Sequence, residues 1–151
     1  MRALDLRIPP VALVLMVAAL MWLVSWGTPE FGFGISIRIS IAVALAVMEA
    51  AMSIAGVVSF RRAGTTVNPL TPAASSTLVR SGVYAFSRNP MYLGFLILLL
   101  AWGIYLSNAL VLVFPPLFVI YMNRLQIEPE DRALRSRFGQ EFVAYASHVR
   151  R

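Results

Sequence analysis

The sequence predicts an all-α, polytopic membrane protein with four transmembrane helices. Spans three and four form a helical hairpin, and an amphipathic helix follows on the cytoplasmic side. Three observations predict this. Of 151 residues, 59% are hydrophobic and 13% charged, with mean hydropathy +0.75, too apolar for a soluble or a disordered chain. Uncharged stretches long enough for a ~30 Å hydrocarbon core recur along it. The basic residues, all thirteen of them arginine, cluster around the ends of those stretches. The length is that of one domain, taken as residues 1–151.

The first span is placed at about residues 9–26. Pro9 to Trp26 is an 18-residue uncharged stretch, about 27 Å long as a helix. Arg2 and Arg7 precede it as in a secretory signal, but no small-x-small cleavage site follows, and Trp22 and Trp26 sit where interfacial aromatics would, so it reads as retained. The second span, residues 39–60, carries one ionisable residue, Glu49, and ends at Arg61-Arg62. Met91 to Met122 is a 32-residue apolar run, roughly 48 Å as one helix and too long for a single crossing. Ser107-Asn108 divides it into spans at 91–106 and 109–122, and Pro115-Pro116 is expected to interrupt the second.

Four spans put both termini on one side, with twelve of the thirteen arginines; Arg38 alone lies opposite. The arginine-rich side is cytoplasmic by the positive-inside rule. The loop 61–90 contains Leu70, Leu78, Val79, Val83, Tyr84 and Phe86 and is expected to be ordered and packed. Residues 130–149 are expected to form one amphipathic helix opened by Pro129, with Leu134, Phe138, Phe142, Tyr145 and Val149 on one face.

Composition excludes much chemistry. The absence of cysteine removes disulfides, zinc-thiolate sites and thiol nucleophiles, and the single histidine, His148, removes multi-histidine metal sites. No metal is expected. A basic chain can bind nucleic acid, but here the basic residues flank apolar runs, so the expected partner is the membrane and not nucleic acid. Gly32-Phe33-Gly34 has neither the preceding strand nor the third glycine of a dinucleotide-binding loop. Nothing in the sequence fixes an oligomeric state.

The remaining polar residues form two clusters at the cytoplasmic face. Gly82-Val83-Tyr84-Ala85-Phe86-Ser87-Arg88-Asn89-Pro90-Met91-Tyr92-Leu93-Gly94 ends the loop and opens span three. Its helix start offers free N–H groups and a positive dipole end beside Arg88, suited to a carboxylate or phosphate, although a capped helix start with a snorkelling arginine would have the same residues. Gly94 permits close approach of a helix or ligand. Ile127-Glu128-Pro129-Glu130-Asp131 follows span four, and these acids suit a helix N-terminus for dipole reasons alone. The hairpin brings both clusters to one face, where Arg88 with Glu130 and Asp131 would offer the cationic and anionic handles that a zwitterionic amino acid head group requires.

The first cluster, read as Gly-x-Tyr-x-x-x-Arg-Asn-Pro-Met-Tyr-x-Gly, resembles the signature of the isoprenylcysteine carboxyl methyltransferase and phospholipid methyltransferase families. The tail resembles theirs too, with Glu130-Asp131, Leu134, Phe138-Gly139, Phe142, Tyr145, Val149 and Arg151. Gly64-Thr65-Thr66-Val67-Asn68-Pro69 resembles the loop entry of bacterial members, and the likeness runs from about Phe60 to the end. The resemblance implies an integral membrane methyltransferase that uses S-adenosyl-L-methionine, placed in a bacterial inner membrane, with Tyr84, Arg88, Asn89, Pro90, Tyr92, Gly94, Glu130 and Asp131 around the cofactor and the C-terminal helix covering it. Two departures stand out: the eukaryotic carboxyl methyltransferases have histidine where this chain has Asn89, and the acidic pair is usually Glu-Glu where this chain has Glu130-Asp131.

No catalytic acid or base is identified. Arg88, Asn89 and Glu49 are candidates for positioning. Glu49, near the midplane, reads equally as a protonated side chain bonded to a neighbouring helix or as a residue lining a substrate tunnel. The expected activity is methyl transfer to a lipid or small hydrophobic acceptor, a carboxylate, amine or thiol, from the cytoplasmic leaflet. The competing classes are a fold-related membrane reductase with a nicotinamide cofactor and a non-enzymatic membrane scaffold.

Overall fold

A computed structural model describes residues 8–30, 32, 34–65 and 76–151. Among them the structure is helical throughout, with no strand. Six α-helices follow one another: α1 (Pro10–Trp26), α2 (Ile35–Arg62), α3 (Pro90–Leu106), α4 (Phe114–Met122), α5 (Glu128–Phe138) and α6 (Gln140–His148). Short 3-10 turns at Gly82–Ala85 and Leu110–Val113 lead into α3 and α4. Arg2, Arg7 and the segment Thr66–Pro69, with Leu70, lie outside the described residues, so the topology and loop readings that use them do too.

α3 is the shared neighbour. On one side it meets α1, the second 3-10 turn and α4 around Met21, Leu99, Val111, Phe118 and Met122; on the other it packs along α2. Pro90 occupies the first turn of α3, where a missing N–H costs nothing. Ser107 ends the helix in the left-handed region at φ 51°, a conformation rare outside glycine and asparagine. Asn108 then fixes the turn. Its side-chain amide donates to the Thr28 carbonyl and hydroxyl and the Pro29 carbonyl, while its oxygen accepts from the Leu110 N–H.

Among the described residues two helical runs are long and apolar enough to cross a membrane, Ile35–Arg62 and Leu110–Phe138; Pro10–Trp26 and Pro90–Leu106 are apolar but shorter. Only 6% of the most apolar window of α2 is buried by protein, so α2 is not the core helix of a soluble domain. Val43, Val47 and Ile54 stand exposed along it. Such a surface is at equilibrium against hydrocarbon, not water.

Two sequence expectations are corrected. Pro115-Pro116 and Pro129 were expected to interrupt the fourth span and to open a separate helix, yet the chain is helical from Leu110 to Phe138. The two prolines fall in the first turn of α4. Ahead of Pro129, residues Asn123–Ile127 form a π-turn in which the Glu128 N–H bonds the Asn123 carbonyl five residues back. The wider turn relieves the clash that a proline ring makes with the preceding turn. The expected single helix over 130–149 is instead two, α5 and α6, divided at Gly139. Gly139 sits at φ 52°, ψ −123°, a region essentially closed to side-chain-bearing residues.

Asn108 is 1% exposed and serves two segments at once. Asn108→Ala is therefore expected to destabilise the fold by about 1–2 kcal/mol, since it removes the hydrogen bonds that tie Thr28 and Pro29 to this turn. Thermal unfolding in detergent checks it; an unchanged midpoint would show that the clamp carries no stability.

Candidate functional site

The loop entering α3 is held on α2. Gly82, at φ 62°, turns the chain so closely that a Cβ there would stand 2.5 Å from Ser59 Oγ. This delivers Tyr84 into a buried position, edge-on to Phe60 of α2 with centroids 5.2 Å apart. Leu78 of the same loop packs with Phe142 and Tyr145 of α6. Leu78, Val79 and Tyr84 of the described part of the loop are thus buried, whereas Phe86, expected to pack with them, is 86% exposed; the far end of the loop is tied by the Ser76 N–H donating to Thr65 Oγ1 at 2.9 Å.

The two polar clusters meet. Arg88 Nη1 lies 3.2 Å from Asp131 Oδ2, with side-chain exposures of 13% and 18%, low enough for the pair to be shielded from solvent. Arg151 reaches the same oxygen through Nε at 3.1 Å and Nη2 at 2.9 Å. The Arg88 N–H donates to the Arg150 carbonyl at 2.8 Å, and the Arg88 guanidinium lies 5.9 Å from the Phe142 ring centroid. Tyr145 closes the lid of this arrangement by donating its hydroxyl to the Tyr84 carbonyl at 2.7 Å.

Glu130 turns to α3. The Tyr92 hydroxyl donates to its Oε2 at 3.0 Å and accepts from Gln126 Nε2 at 3.4 Å. Glu130 lies beyond the apolar stretch of its helix. Burial pushes its carboxyl up to about 7; the Tyr92 hydrogen bond opposes the rise and the Asp131 charge adds to it. Burial, reinforced by the Glu130 charge, likewise raises the Tyr84 hydroxyl above its ordinary range.

Two buried donors at this place have no partner: Arg88 Nε and Asn89 Nδ2. Asn89 is the N-cap residue of α3, yet its side chain makes no capping bond. A helix start, a guanidinium and an amide thus present unused donors beside two carboxylates. In chemical terms this is a receptor for a group that carries both a carboxylate and a cation or hydroxyls.

Of the residues singled out from sequence, Tyr84, Arg88, Asn89, Pro90, Tyr92, Glu130 and Asp131 lie in or beside this arrangement. Gly94 does not: a Cβ there would face Glu49 and Ser53 of α2. Glu49 is accordingly on the α2 side of α3. Sequence reasoning missed Gln126, whose signal was a lone amide at the end of an apolar run, and the use of Arg151 as a second cation on Asp131.

Comparison with known proteins bears on this geometry. The pattern of the phospholipid methyltransferase family matches residues 37–141. The chain is 27% identical over 124 residues to protein-S-isoprenylcysteine O-methyltransferase B of Arabidopsis thaliana, a stretch that is 82% of this chain and 58% of that protein, so the chain spans little more than half the relative's length. It is 41% identical over 61 residues, 40% of this chain, to an uncharacterized protein of Haemophilus influenzae, covering 97% of that protein. No solved structure matches significantly.

The raised Glu130 carboxyl has a consequence for stability. An acid with an elevated folded-state pKa favours the fold while protonated; that contribution is full below about 4.5 and is lost as pH rises through about 7. Between those values the protein without ligand is expected to lose roughly 2–3 kcal/mol that Glu130→Gln does not lose. Chemical denaturation at a series of pH values checks this, and parallel curves for the two proteins would refute it.

Proposed function

The chain belongs to the phospholipid methyltransferase family, and on that footing we propose that it transfers a methyl group from S-adenosyl-L-methionine to a lipid-like acceptor at the cytoplasmic face of a bacterial inner membrane. The observation that carries this reading is the pair of buried, unpartnered donors, Arg88 Nε and Asn89 Nδ2, set beside Glu130 and Asp131. The residues fit the donor. Arg88, Asn89 and the α3 helix start would hold its carboxylate; Asp131 would hold its ammonium, and Glu130 with Tyr92 its hydroxyls. When bound, it supplies a methyl group already activated on a sulfonium, so neither metal nor covalent nucleophile is needed.

What remains falls on the chain. Arg88 and Asp131 satisfy each other at 3.2 Å, so ligand binding exchanges an internal ion pair for two external ones. Tyr145 and Phe142 hold α6 over the loop and keep water out. Asn89 offers hydrogen bonds but cannot exchange a proton near neutrality, so at the donor site the chain contributes alignment and desolvation.

The multi-pass arrangement belongs to the same reading. α1 and α3, with 17 residues each, are about 26 Å long, enough to cross together with the two longer runs. On the outer face Arg38 is neutralised by Glu30 at 2.9 Å, which leaves the cytoplasmic side with the unbalanced positive charge.

Two experiments follow. Reporter fusions at Ser107 and at the C-terminus are expected to localise oppositely; matching localisation would overturn the four-span topology. S-adenosylhomocysteine, but not a nicotinamide dinucleotide, is expected to raise the melting temperature. Glu130→Gln and Arg88→Ala should each weaken its binding by about 1.5–3 kcal/mol. Unaltered affinity in both would reduce the cluster to ordinary helix capping.

A further inference from the structure

Glu49 is the one ionisable residue of α2 between Arg38 and Arg61. At 1.5 Å per residue it lies about 17 Å from the former and about 18 Å from the latter, at the middle of the apolar run. It faces α3: a Cβ at Gly94 would stand 3.4 Å from Glu49 Cγ and 3.5 Å from Oε1. Ser53 Oγ donates to Oε1 at 2.7 Å. Among the described residues no cation pairs with Glu49 and nothing donates to Oε2. Glu49 is half-buried and Oε2 is not fully enclosed, so this oxygen is partly accessible beside the contact of α2 with α3. Ala46 and Ala50, three residues before it and one after, are small and lie on one side of it.

A carboxylate at this depth is costly unless it meets a partner. A purely structural glutamate would use both oxygens within the helix pair; this one uses one. Its depth is informative. Gly94 lies four residues, about 6 Å, below Pro90 at the start of α3, so Glu49 lies one turn deeper than the donor site. A methyl acceptor arriving from the bilayer would pass there.

We propose that Glu49 is the acceptor-binding residue, receiving the protonated nitrogen of an amphiphilic amine along the α2–α3 seam and selecting it over a carboxylate acceptor. The proposal rests on the methyl-transfer reading above. An ammonium meets the free oxygen as an ion pair in a medium of low dielectric, whereas a carboxylate would be repelled by it. The ammonium gives one proton to Oε2 and so regains a lone pair. That nitrogen attacks the methyl carbon; the N–C bond forms, the C–S bond breaks and its electron pair stays on the departing thioether sulfur. The proton on Glu49 leaves to water when the methylated ammonium departs.

The test begins with the wild-type full chain in lipid vesicles. Dicyclohexylcarbodiimide, which couples to carboxyl groups reached from hydrocarbon, is expected to label Glu49. Dodecylamine, but not dodecanoic acid, should reduce that labelling at least about fivefold by peptide mass spectrometry, the scale of one ion pair of ordinary strength. No labelling at Glu49, or equal protection by both amphiphiles, would overturn the proposal. In Glu49→Gln, methyl transfer to dodecylamine should fall at least about tenfold while S-adenosylhomocysteine binding stays unchanged. Unchanged transfer, or loss of S-adenosylhomocysteine binding along with it, would overturn the proposal and mark Glu49 as a packing residue. Amine-protected labelling in a wild-type protein that does not bind S-adenosylhomocysteine would uphold the amine site and overturn the methyl-transfer reading instead.

Discussion

The ion pair between Arg88 and Asp131 is the interaction on which the polar end of this structure turns. It joins residues 43 positions apart, one before α3 and one at the start of α5. The turn at Ser107 and Asn108 folds α4 back beside α3 and so brings the two charges to the same end of these helices. The rest of the tail is fitted around the pair: Arg151 shares the carboxylate, the Arg150 carbonyl takes the Arg88 N–H, and Phe142 covers the guanidinium. The pair holds the tail against the loop.

The π-turn at Asn123–Ile127 determines which face of the rod carries which acid. Adjacent residues on a helix point about 100° apart, and Glu130 and Asp131 accordingly take different partners. Asp131 is taken by the arginines and Glu130 by Tyr92. An extra residue in the turn before them rotates both relative to the apolar part of the helix, and it buries Gln126 against Tyr92 in the same movement. Pro129 fits beside such a turn better than within a regular helix, so the proline and the bulge are one device.

Much of this was legible in the residues, for identifiable reasons. Apolar length and arginine placement are one-dimensional quantities, and they marked the helices and the division at Ser107-Asn108. The meeting of Arg88 with Asp131 follows once α3 and α4 are folded back on each other. What could not be read was rotational. Pro129 looks like a helix start in any sequence, because the wide turn that accommodates it leaves no signature in Asn123–Ile127. Gly139 was visible as a glycine, but its backbone angles, which split α5 from α6, were not. Gly94 was assigned to the same side of α3 as Tyr92, although two residues along a helix turn through about 200°; it lies against α2 instead.

That rotation divides α3 into two chemically different sides. The side bearing Tyr92 meets Gln126 and Glu130 of the rod, with water-facing charge nearby; the side bearing Gly94 meets Glu49 and Ser53 of a helix otherwise given over to hydrocarbon. A reaction between a polar, charged donor and a greasy acceptor has the same division built into its substrates. The donor cannot leave water to find the acceptor, and the acceptor cannot leave the bilayer to find the donor. On the methyl-transfer reading, a single helix with one polar face at the boundary and one face turned into the membrane would let each partner stay in its own medium until their reacting atoms are aligned. With one exposed histidine and no cysteine in the chain, alignment is the resource this protein has in quantity.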